Sequence, residues 1–372
     1  MIYLDNASTT KMKEEVLAEM MPYLTEEYGN PGSVHELGLE ARKAVDLARQ
    51  RVAKAINAEP DEIIFTSGGS EANNMMIHGM FGGNIVANIL SSCLEHDSML
   101  KVLRNSFHHV NCINYFDQVN LCQEVARQCE HEDIDVVSLM YVNNEFGFAN
   151  PVYEIGKIAE KRNCYAFVSD CVQALGSEYI DVKKMKANMI SLSSHKVHGP
   201  KGVGALYIEK DFQKVMEPLI YGGGNQEFGL RGGTENVAGI VGFGKACELI
   251  NVDRNKTTVL SLKNRLKVGI ESHFTVNFDS EVGKILSLTS KVVDAETLVL
   301  MLASKGVYVS AGSACKSLSQ EPNKVLLAAG LTEEEARHTI RISLSELNTV
   351  EEIDAAIEII NDCVGMLEGC VV

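Results

Sequence analysis

His195 and Lys196 sit in the run Ser193-Ser194-His195-Lys196-Val197-His198-Gly199-Pro200-Lys201-Gly202, directly after the apolar stretch Met189-Ile190-Ser191-Leu192. That stretch reads as a buried strand end. Gly199, Gly202 and Gly204 then force a turn before the next apolar run, Ala205-Leu206-Tyr207-Ile208. Desolvation at such a strand end disfavours the ammonium form of Lys196 and leaves an amine able to condense with an aldehyde. A lysine that only solvates a turn is the commoner use of the residue, so the weight falls on what accompanies it. Phe65-Thr66-Ser67-Gly68-Gly69-Ser70-Glu71-Ala72-Asn73-Asn74 passes from a strand through glycines into a helix. Backbone N–H groups at that helix start, with the Ser70 hydroxyl, suit a phosphate; an ordinary cap by Ser67 or Ser70 uses the same residues. Asp170 closes the run Tyr165-Ala166-Phe167-Val168-Ser169. An acidic group at the carboxyl end of a parallel strand points into the usual ligand crevice. Opposite a pyridine nitrogen it keeps the ring protonated and makes it an electron sink; capping the following turn is the equal alternative. Gln173, three residues on, can reach a neighbouring ring substituent. In Glu95-His96, the histidine can lie flat on an aromatic ring or relay protons, or it is a half-buried histidine with one backbone partner.

Two further residues carry chemistry. Cys315 ends Tyr308-Val309-Ser310-Ala311-Gly312-Ser313-Ala314-Cys315, whose small residues leave its thiol accessible. The other nine of the ten cysteines lie mostly in apolar or helical runs and read as packing residues. Cys93 and His96 lack a matching second pair, so no metal set is expected. Arg341, in Thr339-Ile340-Arg341-Ile342-Ser343, is a charge inside an apolar strand and needs a partner. A bidentate substrate carboxylate and an internal salt bridge serve equally.

The elements that position these residues alternate. Helical periodicity runs over Glu14–Leu24 and Glu36–Ile56, separated by the loop Tyr28-Gly29-Asn30-Pro31-Gly32-Ser33. Apolar runs at Ile63–Thr66, Ile85–Leu90, Val136–Val142, Tyr165–Val168, Met189–Leu192 and Ala205–Ile208 alternate with helical stretches. Apolar rather than alternating strands predict a mostly parallel sheet covered on both faces. A helix over Val237–Leu249 follows, opened by Thr234 as its N-cap. The polar segment Asn251–Lys256 marks a boundary. Beyond it come a helix, strands near Val276 and Ile285, another helix, the Ser310–Cys315 loop, a strand at Thr339–Ile342 and a closing helix from Val350, which read as a smaller α+β unit.

The chain has 372 residues, 45% of them hydrophobic, enough for about two domains. Thirty-four basic against 50 acidic residues give a net charge of −16, which argues against a nucleic-acid or anionic-membrane binder and leaves local anion sites open. The cysteines form no CxxC pair and the start, Met1-Ile2-Tyr3-Leu4-Asp5-Asn6, lacks a leader pattern, so a reducing, cytoplasmic setting is expected. No apolar run is long enough to span a bilayer.

The ordered set of segments resembles the cysteine desulfurases, the NifS/IscS-like branch of the class V aminotransferases. It begins with Leu4-Asp5-Asn6-Ala7-Ser8-Thr9-Thr10 and Gly29-Asn30-Pro31-Gly32-Ser33-Val34-His35, and continues through Thr66–Glu71, Val142-Asn143-Asn144-Glu145 and the His195-Lys196 segment. It ends with Arg231-Gly232-Gly233-Thr234-Glu235-Asn236, Gly312–Cys315 and Ile340-Arg341-Ile342-Ser343. The resemblance implies an α/β protein of the PLP-dependent transferase fold type I. Its large domain, 12–251, would carry a mostly parallel seven-stranded sheet; 1–11 and 252–372 would form the small domain. It implies pyridoxal 5′-phosphate (PLP) carried on Lys196, with Asp170 at the pyridine nitrogen, Gln173 at the phenolic oxygen and His96 stacked on the ring. Gly69, Ser70, Ser193, His195 and the partner subunit's Thr234 would hold the phosphate. Asn144 and Arg341 would bind substrate, and Cys315 would take the sulfur of L-cysteine as a persulfide. It further implies a homodimer and a sulfur-acceptor protein, an iron–sulfur scaffold or a thiolation enzyme. Ser70, Ser169, Asn150 and Ser194 depart from the usual residues of that family. Two rivals share the segments: a selenocysteine lyase or aminotransferase of the same fold, and a non-catalytic sulfur carrier.

Overall fold

The structure is a computed structural model, and it describes residues 1–80, 86–106, 108–114, 118–280, 282–311 and 323–370. The chain divides into two compact units: Met1–Thr10 with Val142–Ala149 and Asn251–Val372, and Lys11–Tyr141 with Asn150–Ile250.

Strand β1 (Ile2–Tyr3) belongs to the first unit. The second holds β2 (Ile63–Thr66), β3 (Asn88–Ser92), β4 (His109–Ile113), β5 (Val136–Ser138), β6 (Ala166–Asp170), β7 (Met189–Ser193) and β8 (Gly204–Ile208). They form one seven-stranded sheet in the order β2-β8-β7-β6-β5-β3-β4. The pairs among β4, β3, β5, β6 and β7 are parallel, whereas β8 runs antiparallel to both β7 and β2. Strands β6, β7 and β8 are buried along their whole length, which is why they read as continuous apolar runs.

Helices α1 (Glu14–Met20), α2 (Pro22–Thr25), α3 (Glu36–Ala55), α4 (Gly69–Met80), α5 (Asp97–Asn105), α6 (Gln118–His131) and α7 (Val152–Lys161) belong to the same unit. Met75, Met76 and Ile77 of α4 pack with Ile64, Val168, Met189 and Leu206 of the sheet. The periodic stretch Glu14–Leu24 is two helices rather than one. Pro22 carries no N–H and takes the first position of α2, where none is needed. Strand β4 escaped the sequence reading because His-Val-Asn-Cys-Ile mixes polar with apolar residues at the sheet edge. The apolar run Val136–Val142 is a strand only as far as Ser138.

The first unit carries an antiparallel sheet in the order β12-β10-β9, from β9 (Phe274–Asn277), β10 (Ile285–Ser290) and β12 (Thr339–Ser343). Strand β1 pairs in parallel with β11 (Val307–Tyr308), Ile2 opposite Val307. Leu262 and Leu266 of helix Val252–Ile270, Leu298 and Leu302 of helix Ala295–Ser304, and Ile353 and Ile360 of helix Val350–Cys370 pack with Leu288, Ile340 and Ile342 of the sheet. Val142–Ala149 is counted in this unit, whereas the sequence boundaries 12–251 give it to the large domain. Its Phe146 is buried and meets the Phe278 ring edge-on at 4.8 Å, which accounts for the difference.

Candidate active site

In the large-sheet unit the candidate residues gather at the carboxyl ends of β3, β6 and β7. Asp170 ends β6 and is 4% exposed. Its carboxylate accepts from Asn73 Nδ2 at 2.8 Å and from the Val172 N–H at 2.9 Å. Asn73 lies one turn inside α4 and is fully buried; the same Nδ2 donates to Ser98 Oγ at 2.9 Å. Ser98 in turn meets His96, the N-cap of α5. Its N–H donates to Nδ1 at 3.1 Å, and its Oγ lies 2.8 Å from the same nitrogen. Because Nδ1 accepts, the proton of the neutral ring sits on Nε2. Asp170, Asn73, Ser98 and His96 thus form one connected set.

The other side of this set is the start of α4. The first N–H groups of a helix have no partner within it and favour an anion. A Cβ on Gly69 would stand 2.7 Å from Val172 Cγ2 and 3.8 Å from Ser193 Cβ, and one on Gly68 would be 4.0 Å from Ser193 Oγ. The glycines therefore let the helix start lie against the end of β7 and the residue two beyond Asp170. Glu71 accepts from the Ser67 N–H at 2.8 Å and from Arg231 Nε at 2.9 Å. Burial opposes its ionisation, but these hydrogen bonds hold its carboxyl below the usual range.

Ser193 is buried, and the short helical turn Ser194–Lys196 follows it, with His195 and Lys196 half-buried. Ser194 Oγ is buried without a hydrogen-bond partner among the described residues. Gln173 is buried in the segment after β6. Ser70 is exposed, and so is Thr234, which makes no hydrogen bond that ties it to the set. Thr234 does not open the following helix. Asn236 does, its side chain accepting from the Gly239 N–H three residues on. Cys315 and Gly312–Ala314 lie outside the described residues.

Glu95 adds an unusual neighbour. It is fully buried, and its Oε1 accepts from the Met140 N–H at 2.7 Å. Burial pushes its carboxyl well above the usual range, and the Asp170 charge adds to the effect. Asn73 and Ser98 are the residues that sequence reasoning missed. The only signal was an asparagine one turn into α4, on the face that carries the apolar residues.

In the first unit Arg341 is buried on β12. Its Nη1 donates to the Asn144 carbonyl at 2.9 Å, and its Nη2 reaches Ser8 Oγ at 2.8 Å and Asp5 Oδ1 at 3.2 Å. Glu145 Oε1 lies 3.6 Å from Nη1 and accepts from Asn144 Nδ2 at 2.9 Å. The internal salt bridge posed by the sequence is therefore present. Arg341 Nε and Asn144 Oδ1 are buried without hydrogen-bond partners among the described residues. Such a pair, one donor and one acceptor, suits the carboxylate and ammonium of an amino acid.

The donor set fits a phosphorylated pyridine aldehyde: a buried carboxylate for the ring nitrogen, helix N–H groups and the Ser193 hydroxyl for an anion, and a lysine amine in the turn beside them. Comparison with known proteins agrees. The aminotransferase class-V family model matches residues 2–356. A Methanosarcina thermophila protein named cysteine desulfurase IscS is 38% identical, with 99% of this chain and 93% of that one aligned. A NifS-like protein of known structure superposes with a TM-score of 0.89 at 32% identity, covering 98% of this chain and 99% of that one. A structure of SspA in complex with cysteine gives a TM-score of 0.81 at 30% identity, covering 94% and 100%.

Proposed function

We infer that this chain, which belongs to the class-V aminotransferase family, is a PLP-dependent cysteine desulfurase that takes sulfur from L-cysteine, releases L-alanine and leaves a persulfide on Cys315. The observation that carries this reading is the Asp170 carboxylate, buried and oriented by Asn73 and Val172, in one set with His96 and beside the glycine start of α4. Pyridoxal 5′-phosphate, when bound, supplies the electron sink for the carbanion that forms at the substrate Cα.

The chain's residues do the rest. Lys196 would hold the cofactor through Nζ, and its free amine would serve as the base for the substrate Cα proton. Asp170 would keep the pyridine nitrogen protonated, and Gln173 would donate to the phenolic oxygen. The N–H groups of Gly69 and Ser70, the hydroxyl of Ser193 and the His195 side chain would hold the phosphate, completed by Thr234 of a second copy. His96 would lie against the cofactor ring, and it holds a proton at Nε2 because Nδ1 accepts from Ser98. Asn144 and Arg341 bind the substrate, its carboxylate exchanging with Asp5 for the guanidinium. Cys315 Sγ attacks the substrate sulfur as a thiolate. The Sγ–S bond forms as the C–S bond breaks, the bonding pair stays with carbon, and carbon is then protonated to alanine. Cysteine and one thiol become alanine and one persulfide, with no outside oxidant.

The reading includes a homodimer. Leu17, Met21, Leu24, Tyr28 and Val34 expose large apolar side chains along one stretch around α1 and α2, which a second copy would cover. It also includes a sulfur-acceptor protein, an iron–sulfur scaffold or thiolation enzyme, and a cytoplasmic setting, which suits the free described cysteines. Among the described residues no helix is long and apolar enough to cross a membrane. The test is to load the protein with cofactor, reduce it with borohydride and map the peptides. The pyridoxyl group is expected on Lys196; a label on another lysine overturns the assignment. Cys315→Ser should bind cysteine yet release no sulfide, and full sulfide release by that variant removes Cys315 as the nucleophile.

A further inference from the structure

Two cysteines outside this site meet at the far end of β6. Cys129 lies near the end of α6, and Cys164 stands between α7 and β6. The ion pair of Arg162 with Glu130, 2.7 Å apart, ties the residue after Cys129 to the one two before Cys164. Asn163 takes a left-handed backbone, φ 56°, and turns the chain so that the Cys164 N–H returns to the Ala159 carbonyl at 3.0 Å. Both thiols are half-buried, and that of Cys129 is hydrogen-bonded to the Cys164 sulfur. Cys164 also lines a cavity of about 600 Å³, together with Tyr165, Glu160, Lys183, Lys186 and Glu209. A cavity of this size admits a small molecule. Lys186 and Glu160 form an ion pair at 3.0 Å on its wall, half open to solvent, and such a pair can exchange partners with a peptide-like ligand that carries both charges.

We propose that Cys164, backed by Cys129, is a thiol–disulfide exchange site for low-molecular-weight, peptide-like disulfides. The reaction balances within the pair and its named oxidant. The Cys164 thiolate attacks one sulfur of the disulfide; a Cys164–S–S–R bond forms and the second RS⁻ leaves and takes a proton. The Cys129 thiol then gives up its proton and attacks Cys164 Sγ, the Cys129–Cys164 bond forms, and a second RSH departs. Two protein thiols are oxidised and one external disulfide is reduced to two thiols. The thiol acidities agree with the roles. The hydrogen bond from Cys129 and the Cys164 N–H hold the Cys164 thiol below its ordinary value against the opposing effect of burial, while Cys129 is pushed up. The other described cysteines with a shift, Cys112, Cys122, Cys171, Cys247 and Cys363, all move up.

The experiment treats the cofactor-loaded protein with glutathione disulfide and maps its peptides by mass spectrometry. A Cys129–Cys164 cross-link is expected in the wild type, and Cys129→Ser should stop at a glutathione adduct on Cys164. Cross-linking absent while other cysteines are modified overturns the proposal, as does an adduct spread evenly over the half-buried cysteines of Cys129→Ser. Iodoacetamide labelling of the unsubstituted protein at pH 7 is the second arm. Cys164 should alkylate at least fivefold faster than Cys122 on α6, and equal rates overturn the proposal.

Discussion

Asp170, at the end of β6, and Glu95, just past the end of β3, are two buried carboxyls separated in the sheet by β5, and their surroundings push them apart in role. Asp170 receives two donors. Glu95 has one donor and an oxygen, Oε2, without a partner among the described residues. A carboxylate buried without a cation is costly, so Glu95 holds its proton. Its folded-state value is raised above the unfolded value of about 4.3. The stability it contributes is therefore full below that value and is lost as pH rises toward the folded-state value. Glu95→Gln keeps a neutral, hydrogen-bonding side chain and removes the penalty. The variant should gain on the wild type as pH rises above about 4.3, by up to about 1.4 kcal/mol per pH unit, until Glu95 ionises in the folded state. Denaturant titrations at four pH values check this, and a pH-independent difference contradicts it. Asn73→Ala should free Asp170 and Ser98 together. Losing a hydrogen bond to a charged group costs about 1.5–3 kcal/mol, so cofactor affinity of the apoprotein should fall roughly ten- to a hundredfold. Unchanged binding in an absorbance titration would show that Asn73 does not orient the carboxylate.

The elements explain which parts of this could be read from the chain alone. Asp170, the Ser194–Lys196 turn and the glycine start of α4 were legible because each sits at a strand end followed by a turn, a local pattern. Asn73 and Ser98 were not, since their partners lie far away in sequence and only the sheet order brings them together. Thr234 was read as a cap because it precedes an apolar helix, but Asn236 stands directly before that start and its side chain accepts from the Gly239 N–H. Another element pair was invisible for the same reason. Arg49 of α3 grips Glu227 through both nitrogens, at 2.7 and 2.9 Å, between the Phe65 and Phe228 rings, 4.7 and 5.1 Å from its guanidinium carbon. Glu227 also accepts from the Phe65 N–H at 2.7 Å, and Glu227 and Phe228 both hold left-handed backbone, φ 46° and 58°. This pair fastens the segment after the glycine run Gly222–Gly224 to the start of β2. Glu227→Ala leaves a buried guanidinium unpaired and should cost about 3–5 kcal/mol; a loss below 1 kcal/mol in a denaturation curve would refute the role.

At the scale of the molecule, the proposed dimer makes each active site a shared structure. Mixing Lys196→Ala with Thr234→Ala subunits tests it. If Thr234 serves its neighbour, both substitutions fall on one site of the mixed dimer, and the other site binds cofactor with wild-type affinity. Affinity as weak as in the Thr234→Ala homodimer would show that Thr234 acts within its own subunit. The pairing of β1 with β11 bears on how the protein is made. Ile2 finds its place beside Val307, and at the usual pace of translation roughly 15–60 s separates their synthesis. During that wait Met1–Thr10 has no sheet to join, while the segments from Lys11 to Ile250 that form the seven-stranded unit have already left the ribosome. These early-made residues are thus among the last to fold. A ribosome stalled far enough beyond Ile250 for that residue to clear the exit tunnel, but before Val307 is made, should carry a protease-resistant large-sheet unit whose N-terminal ten residues are still open to cleavage.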